Sequence, residues 1–140
     1  MSRFVRRDRT RGQALVEFAF AFPIFLLIVF GLIDLGRAVY VSNSLAEAAR
    51  DGARYGSVQA RAWDELRRDN VETWVLDRLT AVPGATATVE CVTANPGLGC
   101  TVEDIVTVTV ETDLDMITPL IGQILGPLSL EGRSEAIVQN

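Results

Sequence analysis

The sequence predicts an α+β fold: a long N-terminal helix that crosses a membrane, a second helix, and a small three-stranded antiparallel sheet packed on them. An apolar run of 20 residues near the N-terminus has the length of a membrane span. Apolar residues then recur at helical spacing, and after Pro83-Gly84 the spacing changes to the alternation that is typical of strands. With 140 residues, the chain has room for one modest core.

The predicted span is the sequence ALVEFAFAFPIFLLIVFGLI, from Ala14 to Ile33, which only Glu17 and Pro23 interrupt. At about 1.5 Å per residue, this helix is roughly 30 Å long, which is the thickness of the hydrocarbon layer of a bilayer. A cleaved signal peptide is the alternative, but its apolar region is usually about 7–15 residues long. Here the run is longer, and helical periodicity continues beyond it without a loop signal.

Charge predicts the orientation of the span. Residues 1–12 contain five arginines and one aspartate, a balance of +4, so the other 128 residues carry −9. Basic residues beside a span stay on the cytoplasmic side of the membrane. We therefore expect a single pass through the cytoplasmic (inner) membrane, with the N-terminus inside and the C-terminal part outside. The acidic remainder argues against a nucleic-acid partner.

These patterns divide the chain into four regions. They are a basic leader (1–12), a transmembrane helix (13–34), an extracytoplasmic helical region (35–82) and a β-rich region (83–140). The β-rich region contains a short apolar segment, LDMITPLIGQILGP (114–127), which is too short to cross a membrane. Either this segment lies against the membrane surface or it is an exposed patch for a neighbouring subunit.

Glu17 is unusual because a carboxylate inside a membrane costs up to about 3 kcal/mol at the centre and less near an interface. It either extends to water or is kept for a partner. Its surroundings form a motif: Gly12 stands directly before Gln13, and Glu17 and Phe18 follow at the fifth and sixth positions after the glycine. The stretch RGQALVEF resembles the type IV prepilin cleavage signal of the tight-adherence (Flp) class, in which the peptidase cuts after a glycine.

The resemblance extends over residues 11–56, which are similar to the TadE-like minor pilin domain. The shared features are GQALVEF, a mid-helix proline, an acidic residue with Gly-Arg at the outer edge of the span, and AARDGARY. They imply a structural, non-catalytic pseudopilin of the tight-adherence pilus and secretion machinery. The expected partners are the membrane, a prepilin peptidase, other pilin subunits and the tight-adherence assembly platform. The expected location is the membrane or an extracellular pilus.

The same resemblance implies roles for the motif residues. The peptidase would remove residues 1–12, and the new amine of Gln13 would pair with the Glu17 carboxylate of an adjacent subunit. In a water-poor filament core, this pairing offsets the cost of burying each charge. Pro23 removes a backbone donor and should kink the helix. The kink is either a tolerated irregularity or a softening that helps the helix to leave the bilayer.

Beyond the span, apolar and small residues recur at steps of three and four residues, which predicts a stripe on one helix face. The stripe consists of Leu35, Ala38, Val39, Leu45, Ala46, Ala49, Gly52, Ala53 and Gly56. Gly56-Ser57 indicates a weak break before a second amphipathic helix, which ends before Pro83. The tryptophans of that helix, Trp63 and Trp74, either pack in the core or form an interfacial membrane belt.

Three segments rich in β-branched residues, 85–92, 105–111 and 128–138, are predicted strands. Asn95-Pro96-Gly97 indicates a turn between the first two, and Cys91 and Cys100 flank this turn. Outside the cytoplasm, a disulfide between them would close the loop and stabilise the fold by roughly 2–3 kcal/mol. Two free thiols are the alternative. A metal site is disfavoured, because two cysteines without a histidine cannot complete a tetrahedral shell.

Catalytic function is not indicated. The sequence has no histidine, which excludes Ser-His and Cys-His pairs, and it has no Gly-rich phosphate loop. We therefore expect no enzyme, no cofactor and no small-molecule substrate. The alternative to a pilin is a single-span anchored protein whose outer domain binds a ligand or receptor and which does not assemble into a filament.

Overall fold

The computed structural model describes residues 9–59, 65–93, 100–118, 122–123 and 126–139. It confirms the α+β fold, with a long apolar N-terminal helix, a second helix and a three-stranded antiparallel sheet. The elements are α1 (Arg9–Gln59), α2 (Glu65–Arg78), β1 (Thr86–Val92), β2 (Ile105–Leu114) and β3 (Leu128–Ile137). Most of the leader, Trp63 and the Asn95-Pro96-Gly97 turn lie outside the described residues.

Helix α1 is a single element of 51 residues, roughly 77 Å long at 1.5 Å per residue. Pro23 lies inside it and does not end it. The break expected at Gly56-Ser57 is wrong, because α1 continues to Gln59. Both residues are buried against the core, and the Ser57 hydroxyl donates a hydrogen bond of 2.9 Å to the Arg54 carbonyl oxygen. Packing therefore outweighs the weak helix preference of this pair.

In the sheet, β2 is the central strand and pairs antiparallel with β1 on one side and β3 on the other. Val106, Val108 and Val110 of β2 are completely buried beneath the helices. Glu111 and Asp113 alternate with buried residues and are exposed on the other face. This alternation of buried apolar and exposed polar side chains is the period of two that a half-buried strand requires.

The two ends of the sheet lie at different levels of α1. At one end Leu114 pairs with Leu128, and the carbonyl oxygen of the next residue, Asp115, accepts a hydrogen bond from Arg37. Further along β3, Gly132 lies against Leu45. Strand β3 therefore follows α1 in the same direction. The connection from β2 to β3 begins beside the apolar half of α1, and the connection from β1 to β2 begins at the opposite end.

Helix α1 and β3 approach most closely at Gly132. A Cβ atom at this position would lie 2.5 Å from the Leu45 carbonyl carbon and 2.7 Å from the Ala46 nitrogen. Gly52, seven residues beyond Leu45, also allows a close approach. A Cβ there would collide with Val75 of α2 and lie 3.3 Å from Val108 of β2. Two glycines thus allow one helix to contact both the sheet and the second helix.

The buried face of α1 differs in part from the predicted stripe. Leu45, Ala49, Gly52 and Ala53 are buried as expected, but Leu35 and Val39 are 61% and 53% exposed. The observed face instead includes Asp34, Val41 and Ala48. Leu35 and Val39 continue the exposed apolar side of the first half of the helix, and apolar spacing alone does not distinguish that side from the core side.

We predict that Gly132→Ala destabilises the fold by roughly 1–3 kcal/mol, the usual cost of an extra methyl group in a tightly packed site. The new Cβ would meet helix backbone, which cannot rotate away as a side chain can. Denaturant unfolding in detergent, followed by tryptophan fluorescence, measures the change. The control is Gly36→Ala, where no atom lies within 4 Å of the new Cβ and alanine is the better helix former. Equal midpoints for the two variants would contradict the prediction.

Candidate functional site

The first half of α1 is a largely exposed apolar surface. All residues from Gly12 to Phe25 are exposed. The large apolar side chains exposed between residues 12 and 33 are Leu15, Val16, Phe18, Phe20, Phe22, Ile24, Phe25, Ile28, Leu32 and Ile33. By length and composition, this helix can cross a membrane, and a continuous apolar surface of this extent is unfavourable in water. The arrangement fits a protein anchored in a membrane.

The motif residues lie at the start of this surface. Gly12 and Gln13 are in the first turns of α1 and are exposed, and a Cβ at Gly12 would meet nothing within 4 Å. Gln13 and Glu17 are four residues apart and thus share one side of the helix. Glu17 is exposed and makes no ion pair with another side chain among the described residues. The Phe18 ring stacks on Phe22 with 5.3 Å between centroids.

Asp34, directly after the apolar run, binds the start of the β2–β3 connection. Its carboxylate accepts hydrogen bonds from the Ile117 backbone N–H (2.9 Å), from the Thr118 backbone N–H (2.8 Å) and from the Thr118 hydroxyl. Arg37 lies 3.6 Å from the same carboxylate and donates to the Asp115 carbonyl oxygen at 3.2 Å. Asp34 is only 5% exposed and Thr118 only 2%. We call these residues the Asp34 clamp.

The disulfide lies at the opposite end of the sheet. Cys91 at the end of β1 is bonded to Cys100, with 5.9 Å between their Cα atoms. Thr101 donates its backbone N–H (2.6 Å) and its hydroxyl (2.8 Å) to one carboxylate oxygen of Asp104, which orders the chain before β2. Cys91, Cys100 and Asp104 are the one group of potential metal ligands found among the described residues. Because the two sulfurs are bonded to each other, neither is available as a thiolate ligand.

Trp74 has a packing role. Its ring stacks on Tyr55 of α1, with 4.6 Å between centroids and an angle of 2° between planes, and the Arg78 guanidinium carbon lies 3.3 Å from the ring centroid. Tyr55 is 21 residues beyond Asp34 on α1, roughly 32 Å along the helix axis. Trp74 is therefore far from the end of the apolar run, and it joins α2 to α1 rather than forming an interfacial belt.

Sequence reasoning missed the function of Asp34, which it treated only as the boundary of the span. Its partners Ile117 and Thr118 are 83 and 84 residues away in the chain. One signal was present: Thr118 carries the one hydroxyl of the largely apolar segment 114–127, and a hydroxyl in such surroundings needs a partner. Among the motif residues, the structure brings together Cys91 and Cys100 and places Gly12, Gln13, Glu17 and Phe18 on one helix.

Comparison with known families matches one of them. The family described as TadE-like protein matches residues 12–54, which is most of α1 and a little under a third of the chain. The match confirms the resemblance to the TadE-like family of tight-adherence pilus systems and includes both the Gly12 motif and Asp34. No curated protein and no solved structure gives a significant match to the chain.

We predict that Asp34→Ala releases the start of the β2–β3 connection. Without the carboxylate, the N–H groups of Ile117 and Thr118 lose their acceptor, so their hydrogen exchange should accelerate sharply. Exchange measured by mass spectrometry in nanodiscs reports this change. Asp51→Ala removes an exposed acid from the same helix and should leave these amides unchanged. If Ile117 and Thr118 exchange at the wild-type rate in Asp34→Ala, the clamp does not hold the connection.

Proposed function

We propose that this chain, whose N-terminal helix carries a TadE-like domain at residues 12–54, is a structural minor pilin of a tight-adherence type IV pilus or a related secretion apparatus. The observation that carries this proposal is the exposed apolar half of α1 with the Gly12, Glu17 and Phe18 motif at its start. Among the described residues of α1, the fully buried ones begin at Asp34 and lie in the second half of the helix. Such a subunit has a membrane-embedded helix at one end. At the other end it has a folded globular part, the head, which consists of the second half of α1, α2 and the sheet.

The arginines of residues 1–12 support a cytoplasmic N-terminus, since basic residues flanking a span are retained on that side. The sheet and α2 then lie outside the cytoplasm. The disulfide at the distal end of the sheet is consistent with this side, because disulfides form and persist in oxidising compartments.

Processing by a prepilin peptidase would cut between Gly12 and Gln13. This bond lies in the first turn of α1, which begins at Arg9. Gly12 adds no side chain and is exposed. The site is therefore open to a membrane peptidase without disturbance of the globular part.

Assembly with other pilins would use Glu17. After the cut, Gln13 carries a free amine, and its nearest carboxylate in the sequence is Glu17, four residues further along the same helix side. The first backbone N–H groups of the shortened helix have no partner within the helix, so they also need hydrogen-bond acceptors. A carboxylate in an apolar layer is costly unless a cation pairs with it. Pairing of Glu17 with the amine of an adjacent subunit meets this requirement.

We expect that co-expression with a prepilin peptidase shortens the chain by the 12 residues of the leader, and that Gly12→Leu blocks this change. A large side chain at the residue before the cut would not fit a site selective for glycine. Mass spectrometry of the intact protein measures the N-terminus. Gly36→Leu is the matched control, because Gly36 is also an exposed helical glycine with open space around it. An intact Met1 terminus beside an active peptidase would refute the processing step and favour an anchored protein that does not assemble.

We expect that Glu17→Gln leaves membrane insertion intact and sharply lowers cross-linking to other pilins. The change removes the charge at constant size, and loss of one member of a desolvated pair costs roughly 3–5 kcal/mol. Photo-cross-linking from a probe next to Gln13, in membranes that contain the other subunits, measures the contact. Glu47→Gln removes an exposed charge from the outer part of the same helix and should have no effect. Equal cross-linking in both variants would mean that Glu17 only extends to water.

A further inference from the structure

The part of the chain that covers α1 extends below Asp34 into the predicted span. Residues 12–25 are exposed throughout, whereas Leu26, Leu27, Val29, Phe30 and Gly31 are half-buried. Leu26 precedes Asp34 by eight residues, which is about 12 Å along a helix. If the span ends at Asp34, the globular part reaches about this far into the membrane level on one side of α1.

The element next to the end of the span is the start of the connection from β2 to β3. It begins with Asp115 and is fixed to α1 at Ile117 and Thr118 by the Asp34 clamp. Residues 116–127, MITPLIGQILGP, contain no charged side chain. Ile117 is 53% exposed although its backbone is held at Asp34. A large apolar side chain therefore points away from the protein directly beside the end of the span.

The clamp has the chemistry that a non-helical segment needs at the edge of a bilayer. Backbone N–H groups in an apolar layer must find partners within the protein, because no water is present to serve them. Asp34 supplies both acceptors for Ile117 and Thr118, and it also accepts the Thr118 hydroxyl. These three donors are thus satisfied within the protein, while the Ile117 side chain stays exposed.

Charged side chains lie directly beyond the clamp: Arg37 and the exposed carboxylates of Asp113 and Asp115. The Arg37 side chain is 41% exposed while its guanidinium is bound to the Asp115 carbonyl oxygen. Arginine side chains at this level reach lipid phosphates while their stems lie on apolar surface. The order along α1 is therefore apolar residues, then the clamp with Ile117, then Arg37, which matches the sequence of hydrocarbon, interface and headgroups.

We propose that the start of the β2–β3 connection, Asp115 to Thr118, is a second membrane contact of this protein, in which Ile117 enters the lipid interface next to the span and the Asp34 clamp holds it there. The partner is the bilayer itself, at the face where the span ends. The inference rests on the membrane insertion that the proposed function includes, and it adds that the head touches the bilayer as well as the helix. Interfacial apolar side chains of this kind reach roughly 5–10 Å into the boundary between headgroups and acyl chains.

The test places a tryptophan at three positions of the full chain, one at a time, in vesicles with or without brominated lipids. Ile117→Trp probes the contact, Phe25→Trp reports on the exposed middle of the span, and Ile137→Trp is a control of similar exposure at the distal end of the sheet. The emission of the wild-type tryptophans is subtracted. Ile117→Trp should shift to shorter wavelength and be quenched most by bromines high on the acyl chain. Ile137→Trp should show neither change.

Each alternative outcome is distinct. If Phe25→Trp is quenched and Ile117→Trp is not, the helix is in the bilayer and the second contact is refuted. A blue shift at Ile117→Trp that bromination leaves unquenched means a neighbouring subunit covers the site, which also refutes it. If Phe25→Trp is not quenched, membrane insertion itself fails, and with it the proposed function.

A second measurement uses the wild-type protein and does not depend on the folding of a variant. A photoreactive lipid that labels side chains within the bilayer should modify the peptide containing Ile117 in addition to the peptides of the span. The peptide containing Ile137 should remain unmodified. Labelling confined to the span would overturn the proposal.

Discussion

The structure depends on one constraint: α1 is a single unbroken helix with two different surroundings. Its first half is exposed and apolar, and its second half packs against the sheet and α2. No turn separates the halves, so the sheet cannot rotate freely against the apolar half. Any environment that fixes residues 12–33 therefore also fixes the direction in which the sheet and the disulfide point. Helical continuity, rather than a large interface, determines the orientation of the head.

Small residues allow the second half of α1 to pack closely against the sheet and α2. Backbone contact at Gly132 and close packing at Gly52 leave little room for larger side chains. The completely buried positions of the sheet and α2 are mostly valines, and Leu45 of α1 is the largest completely buried side chain among the described residues. A core of this kind is thin, so its ends need additional support. The disulfide secures the distal end, and the Asp34 clamp secures the end next to the apolar half.

Much of the fold follows from local pattern. The long apolar run, the change from helical spacing to alternation, and the turn chemistry between Cys91 and Cys100 identify the helices, the strands and the cysteine pair. The sequence fails where a tertiary contact decides the outcome. Burial keeps Gly56 and Ser57 helical although their intrinsic preference favours a break. Leu35 and Val39 share the apolar spacing of the core face, but they continue the exposed side of the span.

The candidate site also has one part that the sequence identifies and one part that only the tertiary structure shows. Gly12, Gln13, Glu17 and Phe18 are adjacent in sequence and can be identified as a motif without coordinates. The clamp cannot be identified in that way, because Asp34 and Thr118 are 84 residues apart. An acidic residue after an apolar run has many possible explanations in a sequence, and only the chain packed against it shows that this one is an acceptor for two backbone N–H groups.

In the proposed orientation, the motif at Glu17 and the Asp34 clamp lie on the same helix and move together. Glu17 lies near the inner edge of the span and Asp34 at the outer edge, 17 residues apart, or roughly 26 Å along one continuous helix. A displacement of α1 along its axis, as filament assembly would require, moves both by the same distance. Because the clamp joins Ile117 to Asp34, the same movement would withdraw Ile117 from the lipid interface in which we propose that it lies. The free energy of leaving the bilayer thus includes the exposure of Ile117 as well as that of the span. On this proposal, neighbouring subunits must cover both surfaces before the subunit leaves the membrane.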